Sequence, residues 1–206
     1  MKFNRLVTFG DSFTYGQDMP DNERTWNRPS KHAWPAVVGK KLDIHDVLNV
    51  ALPGASNKYI ANTVLDFEFK KHDLVLILWS WHNRYHIFDN RKIYGQKIGT
   101  WNTRNNKTAE MYYRYLYNEA DSIKQSLIYI NHTSDYLKYK KIKNFHGLLD
   151  EDIRRTAETC SWNRTEFLPF RVNLVDYASD GLHPGKESHV QIARQMWINM
   201  KGQLRD

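Results

Sequence analysis

At 206 residues, with 41% hydrophobic and 14% aromatic residues and no repetitive or uniformly polar tract, the chain has the make-up of one folded domain and not of a disordered segment. The longest apolar run, "LVLILW" at 74 to 79, is strand-sized, far short of the roughly 18 residues that cross a bilayer, and the amino-terminal stretch has no signal-peptide core, so a soluble, cytoplasmic protein is expected. A single cysteine, Cys160, rules out an internal disulfide and a multi-cysteine metal site, and its bland role is a partly buried thiol.

In chain order, "RLVTFG" reads as a strand that runs into the turn residues "GDS", which places Ser12 at its carboxyl end. A polar loop from Gln17 to Ser30 is followed by a helix with Trp34, Val37, Val38 and Leu42 at helical spacing and Pro35 in its first turn. "DVLNVAL" at 46 to 52 is the second strand, ending in "PGASN". Residues 57 to 70 form a second helix, with Ile60, Val64, Leu65 and Phe67 on its apolar side. "DLVLILW" at 73 to 79 is apolar throughout, as a strand buried on both faces of a parallel sheet must be. The pattern predicts a long loop over 80–106, a long helix over 108–139 and a strand at 140–145. Residues 146–179 resist assignment, with "VNLVDYA" at 172–178 either a strand or an extended approach to "DGLHPG". A closing helix carries Val190, Ala193, Met196, Trp197 and Met200. Alternating strands and helices make this an α/β protein. It is read as a single domain over 1–206, with a basic, aromatic-rich insertion at about 80–145.

The net charge of +7 is concentrated, because residues 91 to 145 hold eleven Lys or Arg against four acids. Such a segment, with its many tyrosines, keeps nucleic-acid binding open as an alternative. It carries no nucleic-acid motif, phosphate loop or zinc pattern, so a solvated helix face is preferred and nucleic acid is not the expected partner.

In an open α/β sheet, ligands bind beyond the carboxyl ends of the strands, so Ser12, Gly54 and "SWHN" at 80–83 should share one site. Ser12 alone reads equally well as a turn residue or a nucleophile. A serine needs a base to take its proton and a third group to orient that base. Asp180 and His183, three apart in a bent loop, offer such a pair. His82 and His86 are four apart, but no carboxylate motif accompanies them, and no metal site is expected. His32, His45, His72, His132, His146 and His189 are read as surface or locally bonded histidines.

Three blocks in order, "FGDSFTYG", "NVALPGASN" and "DGLHPG", resemble the SGNH, or GDSL-type, hydrolases over most of the chain. The resemblance implies a flavodoxin-like α/β/α sandwich and cofactor-free ester hydrolysis, with Ser12 as nucleophile, His183 as base and Asp180 as its partner. It also implies an oxyanion hole built from the N–H groups of Ser12 and Gly54. The third block departs from the family's Gly-x-Asn-Asp: an ungapped reading puts Ser80 at the glycine and His82 at the oxyanion asparagine, while a shift of one residue would put Asn83 there. Trp81 and Trp101 are candidate substrate-pocket residues. The expected substrate is a small-molecule or glycan ester, such as an O-acetyl group on carbohydrate. A lipid or thioester hydrolase, and a non-catalytic binding or structural protein on the same fold, stand as alternatives.

Overall fold

Four short strands carry the architecture: β1 (Arg5–Phe9), β2 (Asp46–Asn49), β3 (Asp73–Trp79) and β6 (Lys143–Leu148). A computed structural model describes residues 2–23, 27–89 and 92–204 of the chain. All the pairings are parallel and the strand order is β2-β1-β3-β6. Both faces of the central strands are apolar. Val7, Phe9, Val75, Ile77 and Trp79 face one layer, and Leu6, Leu74, Leu76 and Leu78 face the other. Every residue of β3 is buried, which is why its sequence lacks alternation. Each such aliphatic side chain contributes about 1.5–3 kcal/mol of burial.

Helices α2 (Trp34–Leu42) and α7 (Lys186–Met200) cover the second face, while α3 (Asn57–Leu65), α5 (Glu119–Tyr139) and α6 (Glu151–Thr159) cover the first. The result is a three-layer α/β/α sandwich. The chain leaves β1 for β2 on one side and returns to β3 on the other, so the strand order reverses at β1. Parallel α/β sheets open a crevice at such a reversal, beyond the strands' carboxyl ends. The four-residue helix α1 (Ser12–Tyr15) begins there. At the opposite end, Arg5 donates to both carboxylate oxygens of Asp73, through Nε at 2.9 Å and Nη2 at 2.6 Å, and fastens β1 to β3.

The remaining expectations divide. The loop expected over 80–106 is instead largely an antiparallel hairpin, β4 (Tyr85–Asp89) and β5 (Lys92–Ile98), followed by a 3₁₀ turn at Thr100–Asn102. The single helix expected over 108–139 is two. Helix α4 (Lys107–Met111) runs into a π turn at Tyr112–Leu116, Tyr117 is extended, and Asn118 caps α5 by accepting from the Asp121 amide at 3.0 Å. The second helix stops at Leu65, short of 70, because Phe67 leaves the helix to pack edge-on against Phe9 with ring centroids 5.5 Å apart. The strand placed at 140–145 begins at Lys143 and runs to Leu148. Residues 151–159, unassigned from sequence, form α6, and "VNLVDYA" contributes only an isolated bridge between Tyr177 and Pro184. Part of the polar loop, residues 24–26, lies outside the described residues, as does Arg91 of the basic segment.

Two of the histidines read as surface or locally bonded are buried. His146 bonds Trp79 and Asn144, and His189 accepts from the Trp34 amide. Burial pushes them down to about 3 and about 4, so both are neutral at physiological pH. Cys160 is half-buried, as expected. Lys138 lies in the last turn of α5, with Lys140 and Lys141 just beyond it, where cations offset the negative end of the helix dipole. Among the described residues, no helix is long and apolar enough to cross a membrane.

Candidate active site

Ser12 is the first residue of α1, delivered by β1 to the crevice and 2% exposed. Asp11 fixes the turn: its Oδ1 caps α1 by accepting from the Phe13 amide at 2.9 Å. Gly10 must lack a side chain, since a Cβ there would meet Thr14 Oγ1 at 2.1 Å. Gly16 closes α1 in the left-handed region at φ 73°, its N–H donating to the Ser12 carbonyl. The loop after β2 is stitched to this turn, with the Leu52 amide donating to the Gly10 carbonyl at 3.2 Å and Asn49 Nδ2 to the Thr14 carbonyl at 2.7 Å.

Gly54 in that second loop adopts φ 76°, a conformation that favours glycine. Lys97 of β5 donates through Nζ to the Pro53 carbonyl at 2.7 Å. Peptide 53–54 is trans, so holding its carbonyl on one side turns the Gly54 N–H to the other. Neither the Gly54 N–H nor the Ser12 N–H has a protein acceptor among the described residues. Two unpaired backbone donors on adjoining loops are what a developing oxyanion requires.

The "DGLHPG" loop brings Asp180 and His183 together, with His183 Nδ1 2.5 Å from Asp180 Oδ2. Asp180 Oδ1 accepts from the amides of Leu182 and His183, each at 3.0 Å, so the carboxylate is held by the loop it orients. Burial alone would push the Asp180 carboxyl up, but the His183 amide, the imidazole and the Leu182 amide outweigh it and hold the group below the usual carboxylate range. Ser179 fastens this loop to the first one, donating to the Asp18 carbonyl through its amide at 3.3 Å and its hydroxyl at 3.1 Å. Phe13, adjacent to Ser12, lies edge-on to the His183 ring at 5.9 Å. Ser12 and His183 are thus on contacting loops, but their side chains are not hydrogen-bonded to each other. Such contacts commonly tighten only when substrate arrives.

The third loop is where the sequence was ambiguous. Ser80, at the position of the family's glycine, is buried. Its amide donates to Asn57 Oδ1 at 2.8 Å, its carbonyl accepts from Asn57 Nδ2 at 3.0 Å, and its hydroxyl donates to Asp11 Oδ2 at 2.9 Å. His82 is drawn to α6: its Nδ1 lies 2.7 Å from Asp150 Oδ2 and its amide donates to the same oxygen at 2.8 Å. It lines a small cavity with Lys58, Arg84, Tyr112 and Gln125. The hydrogen bond that the ring makes to the Asp150 carboxylate raises the His82 pKa against the opposing effect of burial. Asn83 accepts through its carbonyl from the Tyr113 hydroxyl, and its side chain has no hydrogen-bond partner among the described residues.

Trp81 packs edge-on against Phe13 at 5.1 Å, and Trp101, 53% exposed, lies over Gly54. Between the two indoles sits Arg84, its guanidinium 4.5 Å from the Trp81 ring and 5.0 Å from that of Trp101. Arg84 Nη1 donates to Asp11 Oδ2 at 2.6 Å. The sequence reading missed Arg84, Lys97, Asn57 and Asp150. Only Asp150 had a local signal, an Asp followed by Glu and Asp at the head of a helix. Two clusters place ligand-type atoms close together, Asp18 with Asp180 and His183, and His82 with Asp150 and Asp152. In each, the carboxylates already accept from neighbouring N–H groups, that of Asp152 from Arg155.

No family model and no curated protein sequence matches the chain. Solved structures do match in fold. A lipolytic protein of the G-D-S-L family from Desulfitobacterium hafniense superposes with a TM-score of 0.57 at 14% identity, over 94% of this chain and 97% of that one. An acetyl xylan esterase from Butyrivibrio proteoclasticus gives 0.61 at 13% identity, over 99% of this chain but 65% of its own length. A family two carbohydrate esterase from Clostridium thermocellum, solved with cellohexaose, gives 0.57 at 12% identity over 98% of this chain and 64% of that one. The fold is that of the SGNH hydrolases, and its structural neighbours are esterases and lipolytic proteins.

Proposed function

We propose that the protein is a serine esterase in which Ser12 is the nucleophile, His183 the general base and Asp180 the group that orients it. Ser12 Oγ adds to the ester carbonyl carbon while its proton passes to His183 Nε2, and the carbonyl π pair moves onto oxygen. The resulting oxyanion lies between the N–H groups of Ser12 and Gly54. Collapse restores the carbonyl and expels the alcohol, which takes the proton from His183. Water, deprotonated by the same imidazole, adds to the acyl carbonyl; collapse breaks the acyl bond to Ser12 Oγ, which takes the proton back from His183, and the acid leaves. The chemistry needs no cofactor or metal.

The observation that carries this reading is the Asp180–His183 pair, bonded at 2.5 Å on a loop that Ser179 and Phe13 fasten to the one bearing Ser12. For substrate, a short O-acyl ester on a carbohydrate is favoured. Its support is the exposed face of Trp101 beside Gly54, a surface on which a sugar ring can stack, together with the carbohydrate esterases among the fold's neighbours.

A fluorophosphonate probe tests the reading directly. The wild type should be labelled and Ser12→Ala should not. A folded wild type that resists labelling would remove the hydrolase assignment. A series of p-nitrophenyl esters from acetyl to long acyl should then show kcat/KM falling with chain length; a rise would favour a lipid or thioester hydrolase.

A further inference from the structure

Resting on the esterase reading, we infer that Arg84 is the third oxyanion-stabilising group, standing in for the asparagine that the loop after β3 lacks. Three observations converge on its guanidinium. It is anchored one residue from the nucleophile, through Nη1 to Asp11 Oδ2 at 2.6 Å. It is bracketed by Trp81, which touches Phe13 beside Ser12, and by Trp101, whose ring lies against Gly54. The indoles therefore tie the cation to both loops that carry the free backbone donors. Lastly, a guanidinium carries five N–H donors, and Asp11 takes the only one that has a protein acceptor among the described residues.

His82 Nδ1 and its amide belong to Asp150, and the Asn83 carbonyl accepts from Tyr113, which leaves the Asn83 side-chain amide as the competing donor in this loop. Of His82, Asn83 and Arg84, only Arg84 is hydrogen-bonded to the Ser12 turn among the described residues. Its side chain is 13% exposed, so the low-dielectric indole walls leave its charge weakly screened. A planar cation held by two rings and by Asp11 is also preorganised, which limits the reorientation needed as charge develops on the carbonyl oxygen.

Arg84 also neutralises Asp11, which is fully buried, and a purely structural counter-ion role is the competing explanation. Four variants separate the two. Arg84→Ala should lower kcat on p-nitrophenyl acetate about 100 to 1,000-fold, as loss of an oxyanion donor does, and slow fluorophosphonate labelling in parallel, with KM changed much less. Millimolar guanidinium should restore part of this activity where equal sodium chloride does not. Arg84→Lys, which keeps a charge but not the planar fork, should recover the melting temperature more fully than kcat. The double variant Asp11→Asn with Arg84→Ala removes the stranded carboxylate, so it should regain stability while remaining slow. Recovery of near wild-type kcat in that double variant, or an Arg84→Ala kcat within a few-fold of wild type, would overturn the inference and leave the Ser12 assignment intact. Absence of labelling in the folded wild type would remove both. Asn83→Ala serves as the internal comparison: a loss as large as that of Arg84→Ala, without guanidinium rescue of the latter, assigns the third donor to Asn83 instead.

Discussion

Replacing Asp150 tests the physical account of the loop after β3 most sharply, because one carboxylate serves two elements. Its Oδ1 caps α6, accepting from the amides of Asp152 at 2.9 Å and Ile153 at 3.2 Å, while its Oδ2 accepts from the His82 amide and ring. The two side chains are 10% and 3% exposed, so solvent screens the pair little. Breaking a buried pair costs about 3–5 kcal/mol, and losing a helix cap about 0.5–2 kcal/mol. Asp150→Asn keeps a capping oxygen and removes the charge. For a chain of this length each kcal/mol moves Tm by roughly 2–4 °C, so a loss on the order of 10 °C is expected where His82 is charged. The direction with pH follows from the two shifts. His82 is raised in the folded state, so its contribution is fully present below its unfolded value of 6.5 and fades as pH rises through the higher folded value. Asp150 is lowered, so its contribution is present above 3.8 and is lost as pH falls through the lower folded value. Thermal melts followed by circular dichroism should show the gap between wild type and Asp150→Asn widest near pH 5–6 and narrower near pH 9. A residue should remain at high pH, because the His82 amide loses its acceptor at any pH. A gap that stays constant, or widens as pH rises, would refute the charged-pair account.

Three further substitutions probe the loops around Ser12. Gly54→Ala forces an L residue into φ 76°, at about 1–2 kcal/mol, with only ordinary contact to Trp101 and Lys97. It should therefore remain folded, a few degrees less stable, with kcat reduced more than KM is raised. Lys97→Met frees the Pro53 carbonyl and with it the Gly54 N–H; steady-state kinetics should show kcat down about tenfold, in keeping with loss of a hydrogen bond to a charged group, and unchanged kcat would end the positioning argument. Gly185→Ala would put a Cβ 2.5 Å from the Asp176 carboxylate, which holds the amides of Glu187 and Ser188 at the head of α7. A lower Tm and a slower Ser12 are both expected, since this junction supports the His183 loop.

How much of this was legible in the sequence depended on whether the signal was local. The β1 to β3 half reads in the right order, because Leu6, Leu74 and their neighbours are buried and turn residues punctuate them, although the second strand expected over 46–52 ends at Asn49 and the helix expected to 70 ends at Leu65. The hairpin was hidden. In β4 and β5 the buried residues among those described, His86 and Ile98, sit in a sequence of tyrosine, lysine and glutamine, and no Asn-Gly dipeptide marks the reversal. The break at Tyr117 was concealed by helical spacing that continues through it, although Asn118, with Glu119 and Asp121 in the first turn behind it, carries a cap signal that outweighs periodicity. Within the site, Asp180 and His183 were readable because they lie three residues apart. Arg84 was not, since its partner Asp11 is 73 residues away and its aromatic neighbours come from two different loops.

The third loop differs from the family pattern as a set and not by one substitution. With Ser80 where glycine is usual, there is a hydroxyl beside Ser12's turn, and that hydroxyl bonds Asp11. Asp11 in turn is the carboxylate that Arg84 neutralises. With His82 where asparagine is usual, the side chain turns away to Asp150 and α6, and at Tyr85 the chain enters β4, whose partner strand supplies Lys97 to the Gly54 peptide. Ser80, Asp11, His82 and Arg84 thus all have polar partners, in two groups centred on Asp11 and Asp150, so a change at any one of these positions would strand a buried partner, at about 1–3 kcal/mol.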